Sequence, residues 1–133
     1  MLARFCLNLR GLRLFLFLFA AMLVGCGFLF FGAQVAPRLL IRSGVRAYEG
    51  DAREAAAWGH VNARLLACGG GPEAFICTAV RVTEVTPLPA DEAEECLEPY
   101  PPYSVKLRAY TIFGIPYDTI IYECGTTYRL HHP

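Results

Sequence analysis

Three histidines, two serines, six cysteines and a cluster of acids are the side chains here that could do chemistry. Metal ligation comes first, because His, Cys and carboxylates at suitable spacing assemble a tetrahedral zinc site. His131 and His132 stand side by side before Pro133, and His60 lies far from both. No C-x-x-C pair is present, so zinc ligands would have to be gathered from distant stretches. The acids Asp91, Glu92, Glu94, Glu95 and Glu98 lack the alternating ligands and central glycine of a calcium loop. Neither Ser43 nor Ser104 sits in a nucleophile elbow. Gly69-Gly70-Gly71 follows a predicted helix instead of opening one, the wrong order for a phosphate cradle. The expectation is a chain without catalytic residues, cofactor or metal. The competing expectation is a small extracytoplasmic enzyme or metal-binding domain using His131, His132 and nearby acids.

The cysteines point to structure instead. Cys68, Cys77, Cys96 and Cys124 are an even set in a short segment, the pattern of two disulfides formed in an oxidising compartment. Paired in that way, they leave no thiolate nucleophile.

What positions these residues begins with Leu14–Ala36, which reads LFLFLFAAMLVGCGFLFFGAQVA and carries no charge. As one helix rising about 1.5 Å per residue it is long enough to cross a bilayer. Within it, Leu23-Val24-Gly25-Cys26 resembles the lipobox of bacterial lipoproteins. That resemblance implies lipidation of Cys26 as the first mature residue. An ordinary signal peptide fits poorly, since a cut after Ala36 would put Gln34 where a small residue belongs. The apolar continuation Gly27-Phe28-Leu29-Phe30-Phe31 favours retention of the whole run as a single-pass anchor. Arg4, Arg10 and Arg13 precede the run and Arg38, Arg42 and Arg46 follow it, so arginines alone do not orient it. The disulfide pattern does, and places the C-terminal part outside the cytoplasm of a cell envelope. The division is a cytoplasmic basic segment 1–13, a membrane-spanning helix or lipoprotein signal 14–36, a connector 37–50 and a small disulfide-bonded extracytoplasmic domain 51–133.

The neutral total charge hides an asymmetry. Residues 1–46 hold six Arg and no acid, whereas residues 47–133 hold six Lys/Arg against twelve Asp/Glu. An acidic domain argues against nucleic acid as a partner, because phosphate contacts need clustered cations. Arg38, Arg42 and Arg46 would share one face if the helix continued past Pro37, where they could meet anionic lipid headgroups.

Beyond the connector, Asp51 and Glu54 read as an approximate capping box opening a helix over about 52–67. Ala55, Trp58, Val61, Leu65 and Cys68 form its apolar stripe, with Trp58 and Leu65 expected to carry the contact to a sheet. Arg53, Ala57, His60 and Arg64 take the opposite side, and Gly69–Pro72 ends the helix. Phe75–Thr86 alternates with Ile76, Thr78, Val80 and Val82 inward, as a strand does. Proline and acid then dominate 87–102, a crossover with one short helical turn after Pro89 and an extended tail. Tyr103–Tyr128 reads as a hairpin closed by a two-residue loop, Gly114-Ile115. That register pairs Val105 with Cys124, Leu107 with Tyr122 and Lys106 with Glu123. Its outer face carries Tyr110, Ile112, Tyr117 and Ile121, a candidate partner surface for another envelope protein.

The fold class expected is α+β: an N-terminal transmembrane helix, then one amphipathic helix packed on a three-stranded antiparallel meander. In that topology Cys68 and Cys77 share one end and Cys96 and Cys124 the other, so those are the expected pairs. A lipid-anchored domain so built is similar in layout to small envelope-assembly lipoproteins. The function expected is a membrane-anchored extracytoplasmic interaction or envelope-structural module without catalytic activity.

Overall fold

The computed structural model of the protein describes residues 2–130, a mixed assembly of helices and one antiparallel sheet. Helix α1, Leu2–Phe30, runs through the apolar stretch, and its residues 14–30 stay exposed. It is long and apolar enough to cross a membrane by length and composition. It passes into a π-turn, Phe31–Val35, and a last helical turn α2, Ala36–Leu40. Pro37 falls inside this continuous helical run, just after the π-turn, which loosens the backbone where the proline ring and its missing amide donor must be accommodated. The chain leaves the helix at Ile41, which is extended, and makes one 3₁₀ turn at Val45–Ala47.

Helix α3 spans Gly50–Cys68 and opens on Glu49 with no side-chain cap. Asp51 therefore contributes as a first-turn anion beside the positive end of the helix, not as the cap residue. A short helix α4, Glu73–Ile76, occupies what reads from sequence as the start of a strand, so β1 is only Ala79–Pro87. A second short helix, α5, Ala90–Ala93, follows Pro89 in the crossover. Strands β2, Tyr103–Tyr110, β3, Pro116–Glu123, and β4, Thr126–Leu130, complete a sheet in the order β1-β2-β3-β4.

Four strands replace the expected three because the chain reverses at Cys124-Gly125. Both residues have positive φ, 48° and 85°, which is the geometry of a two-residue primed turn. The turn lacks the Asn-Gly or Asp-Gly signature that would announce it. The preceding hairpin also differs. Its connection is wider than Gly114-Ile115: the Thr111 amide bonds the Ile115 carbonyl and Phe113 takes φ 61°. Cross-strand pairs are accordingly Val105 with Tyr122, Leu107 with Ile120 and Ser104 with Glu123. Relative to the expected register, the partners of Ser104 to Ala109 move by two residues, and a bulge beyond Ala109 moves that of Tyr110 by three. A shift of two keeps each side chain on its face but separates Lys106 from Glu123 and brings Lys106 opposite Ile121.

The core lies between α3 and the sheet. From the sheet come Val80, Val82, Val105, Leu107, Ala109, Ile120 and Tyr122, all buried. From the helix come Ala55, Ala56, Gly59, Ala63 and Ala67. The expected stripe is thus corrected: Leu65 is 66% exposed, Val61 54% and Trp58 39%. The physical reason is distance. A β-carbon on Gly59 would sit 3.1 Å from Val105 Cγ1 and 3.3 Å from Tyr122 Cβ, so large residues do not fit on that face. Trp58 packs edge-on against Tyr100 of the crossover, ring centroids 5.7 Å apart.

Candidate membrane-proximal site

Two groups of residues converge where the apolar helix ends. The first is apolar. The loop between β2 and β3 presents Ile112, Phe113 and Ile115, and α4 presents Phe75 and Ile76, all exposed. This tip is seated on the end of the apolar helix. A β-carbon at Gly32 would lie 3.5 Å from Phe113 Cε1, and one at Gly114 would lie 3.5 Å from Ile41 Cδ1. The Gln34 side-chain amide donates to the Phe75 carbonyl at 3.5 Å. Phe113 keeps its left-handed backbone at the point where its ring meets Gly32. Leu39 and Leu40, 69% and 79% exposed, add apolar surface in the last helical turn.

The second group is cationic. The connector folds back on the free edge of β1: the Val82 amide bonds the Ser43 carbonyl at 2.7 Å, which stops that edge from pairing with another chain. Gly44 is required there, with φ 79° and room for no β-carbon, since one would fall 2.6 Å from the Val82 carbonyl oxygen. The fold-back leaves an open cleft of about 950 Å³ between connector, α3 and β1. Arg38, Arg42 and Arg46 line it, joined by Arg64 from α3 and Arg81 from β1. No acid lines it. The helix does not continue past Leu40, so the three connector arginines meet through a bend and a 3₁₀ turn instead of along one helical face. His60 forms part of the wall. Its Nε2–H donates to the Val80 carbonyl at 3.1 Å. Burial lowers its pKa below 6.5 against the pull of that bond, and the charge of Arg64 adds to the lowering.

The remaining sequence candidates scatter. Ile121 is buried, with Tyr128 as its cross-strand partner on one side and Lys106 on the other. Tyr110 is half-buried, Ile112 belongs to the turn, and the Tyr117 hydroxyl donates to the Ala67 carbonyl at the end of α3. Those four residues therefore do not make one open face. On the outer face Glu123 accepts hydrogen bonds from Ser104 at 2.6 Å and from Tyr128 at 2.9 Å. Partial burial and that carboxylate push the Tyr128 pKa up to about 12. Cys68 is bonded to Cys77 and Cys96 to Cys124, with Cα separations of 5.2 and 4.8 Å. Cys26 is a free thiol exposed on α1. His131 and His132 lie outside the described residues, and among the described residues no group of His, Cys, Asp and Glu is arranged to hold a metal. Arg64 and Arg81 are the site residues that sequence reading misses, because each reads as an isolated charge on an outward face.

No known protein family, no characterised protein and no solved structure matches this chain.

Proposed function

We propose that this chain is a membrane-anchored extracytoplasmic module that works by binding, with no catalysis of its own. The observation that carries the reading is the seating of the β2–β3 tip and α4 on the end of the apolar helix. The Phe113 ring meets Gly32 and the Phe75 carbonyl meets Gln34, inside the last turns of the apolar run, with exposed Ile76 and Ile115 close to them along the chain. A soluble domain has no use for such a belt, whereas a bilayer interface accepts apolar and aromatic side chains at that depth. Two disulfides support placement in an oxidising compartment. The bilayer is the partner that this arrangement supports, with the retained helix as anchor.

The test is the intact mass of the full chain purified from membranes. Expected is a chain retaining residues 14–25 with unmodified Cys26. A chain beginning at a diacylglyceryl-modified Cys26 would overturn the anchor and establish the lipoprotein alternative.

A further inference from the structure

We infer that the five-arginine cleft beside the span is a binding site for a phosphate-bearing anion, and that a membrane lipid headgroup supplies it. The first argument is charge placement. Residues 47–133 carry twice as many acids as bases, yet the cleft wall has five arginines and no acid. Arg64 and Arg81 belong to that acidic part and still line the same cleft as the three arginines of the connector. Among the described residues, none of these five guanidinium groups is paired with a carboxylate. Five like charges around one cavity repel one another, and an anion between them relieves that repulsion. Guanidinium is also the side chain whose fork of donors matches phosphate oxygens in two parallel bonds.

The second argument is position. Arg38 stands in the helical turn that ends the apolar helix, and Arg42 and Arg46 follow within the bend. Phosphate groups of a bilayer lie just beyond its hydrocarbon, which is where a cleft opening next to α2 would meet them. The apolar belt of Phe75, Phe113 and Leu40 and the cationic cleft then act at successive depths of one interface. The third argument is rigidity. His60 is held by the Val80 carbonyl, and the Ser43–Val82 bond and Gly44 fix the connector against β1, so the arginines are presented by built walls. The lipid source rests on the membrane-anchored reading; the phosphate chemistry of the cleft does not.

The test uses the full chain in detergent micelles, with binding read by native mass spectrometry. Phosphatidylglycerol is the lipid probe, phosphatidylcholine its zwitterionic control and inorganic phosphate the soluble competitor. Phosphatidylglycerol should be retained in preference to phosphatidylcholine. The double variant R64Q/R81Q should bind it about tenfold more weakly or worse, having lost two charge-assisted contacts. These two positions separate the cleft from the general attraction of juxtamembrane arginines, which the variant leaves intact. R10Q/R13Q, on the other side of the span, should bind as the parent does. Arg64 and Arg81 are exposed and paired with no carboxylate, so the variant should unfold at the parent's temperature; the single variants R64Q and R81Q provide the same reading with half the charge removed.

Phosphatidylglycerol retained in the presence of excess phosphate identifies the headgroup as the source. Displacement by millimolar phosphate supports the anion site and assigns it to a soluble phosphate. Equal retention by parent and R64Q/R81Q, or no preference for the anionic lipid together with no phosphate binding, overturns the proposal. A mass lacking the residues before Cys26 would remove the anchor reading while leaving the R64Q/R81Q comparison to decide the cleft.

Discussion

One face of α3 carries Ala55, Ala56, Gly59, Ala63 and Ala67 and is buried, while another carries Trp58, Val61 and Leu65 and stands largely in the open. By hydrophobicity the second should be the inner one. The difference shows that closeness, not apolar bulk, decides which face of this helix meets the sheet. The sheet provides the volume, with Tyr122, Leu107, Ile120 and Val105 all fully buried, and the helix provides small residues that let those side chains in. Large against small fills space at native density, whereas large against large would hold the two layers apart. Trp58 is then free to lie against Tyr100 and pin the proline-rich crossover to the outside of the helix.

The strongest way to break this comparison is to enlarge the small face. Gly59→Val should cost about 1–3 kcal/mol by overpacking against Val105 and Tyr122, despite a better helix propensity than glycine. Thermal unfolding of the oxidised protein checks it, and a variant as stable as the parent would show that α3 does not lie so close. His60, at the border between the two faces, sharpens the comparison through pH. The folded chain keeps its pKa below 6.5, so the unfolded chain takes up the proton first and stability falls as pH drops below that value. In H60Q that component of the loss should vanish, narrowing the gap in Tm between about pH 7.5 and about pH 5.5 relative to the parent. The smallest effect belongs to the large face. Leu65→Ser should shift stability by no more than about 0.5 kcal/mol, as exposed positions do. A loss of several times that amount would return Leu65 to the core and reverse the assignment of faces.

Elements marked by strong local signals were readable before any coordinates. The uncharged run and the helix ending at Gly69-Gly70-Gly71-Pro72 are of that kind, and α3 extends only a residue or two beyond the expected 52–67. The inward residues Val105, Leu107, Ala109, Ile120 and Tyr122 of the two hairpin strands emerge as read, while Ile121, read outward, is buried as well. Register did not, because it depends on the connection, and Phe113 at positive φ gives no warning in sequence that the turn is wide. The fourth strand was hidden for the same reason, since Cys124 is an uncommon residue for the first position of a primed turn. The inner face of α3 was misread because a stripe of Trp, Val and Leu outweighs a stripe of Ala and Gly in any count of hydrophobicity. Of the site, Arg38, Arg42 and Arg46 were legible as a local repeat. Arg64 and Arg81 join them only through tertiary folding, at a distance in sequence that no spacing rule spans.

The two cross-links bear on the molecule before it folds. Their partners are 9 and 28 residues apart, so each bond closes a loop in the disordered chain and strips it of configurations. In a chain-entropy treatment loops of those lengths raise the free energy of the disordered state by about 2.6 and about 3.6 kcal/mol. A typical small domain has only about 5–15 kcal/mol of net stability in all. Together the two bonds are therefore comparable with a large share of such a margin, and reducing them moves the polypeptide toward the point where neither state prevails. Oxidation in this way acts first on the disordered chain, narrowing what it can become before any contact of the core is made.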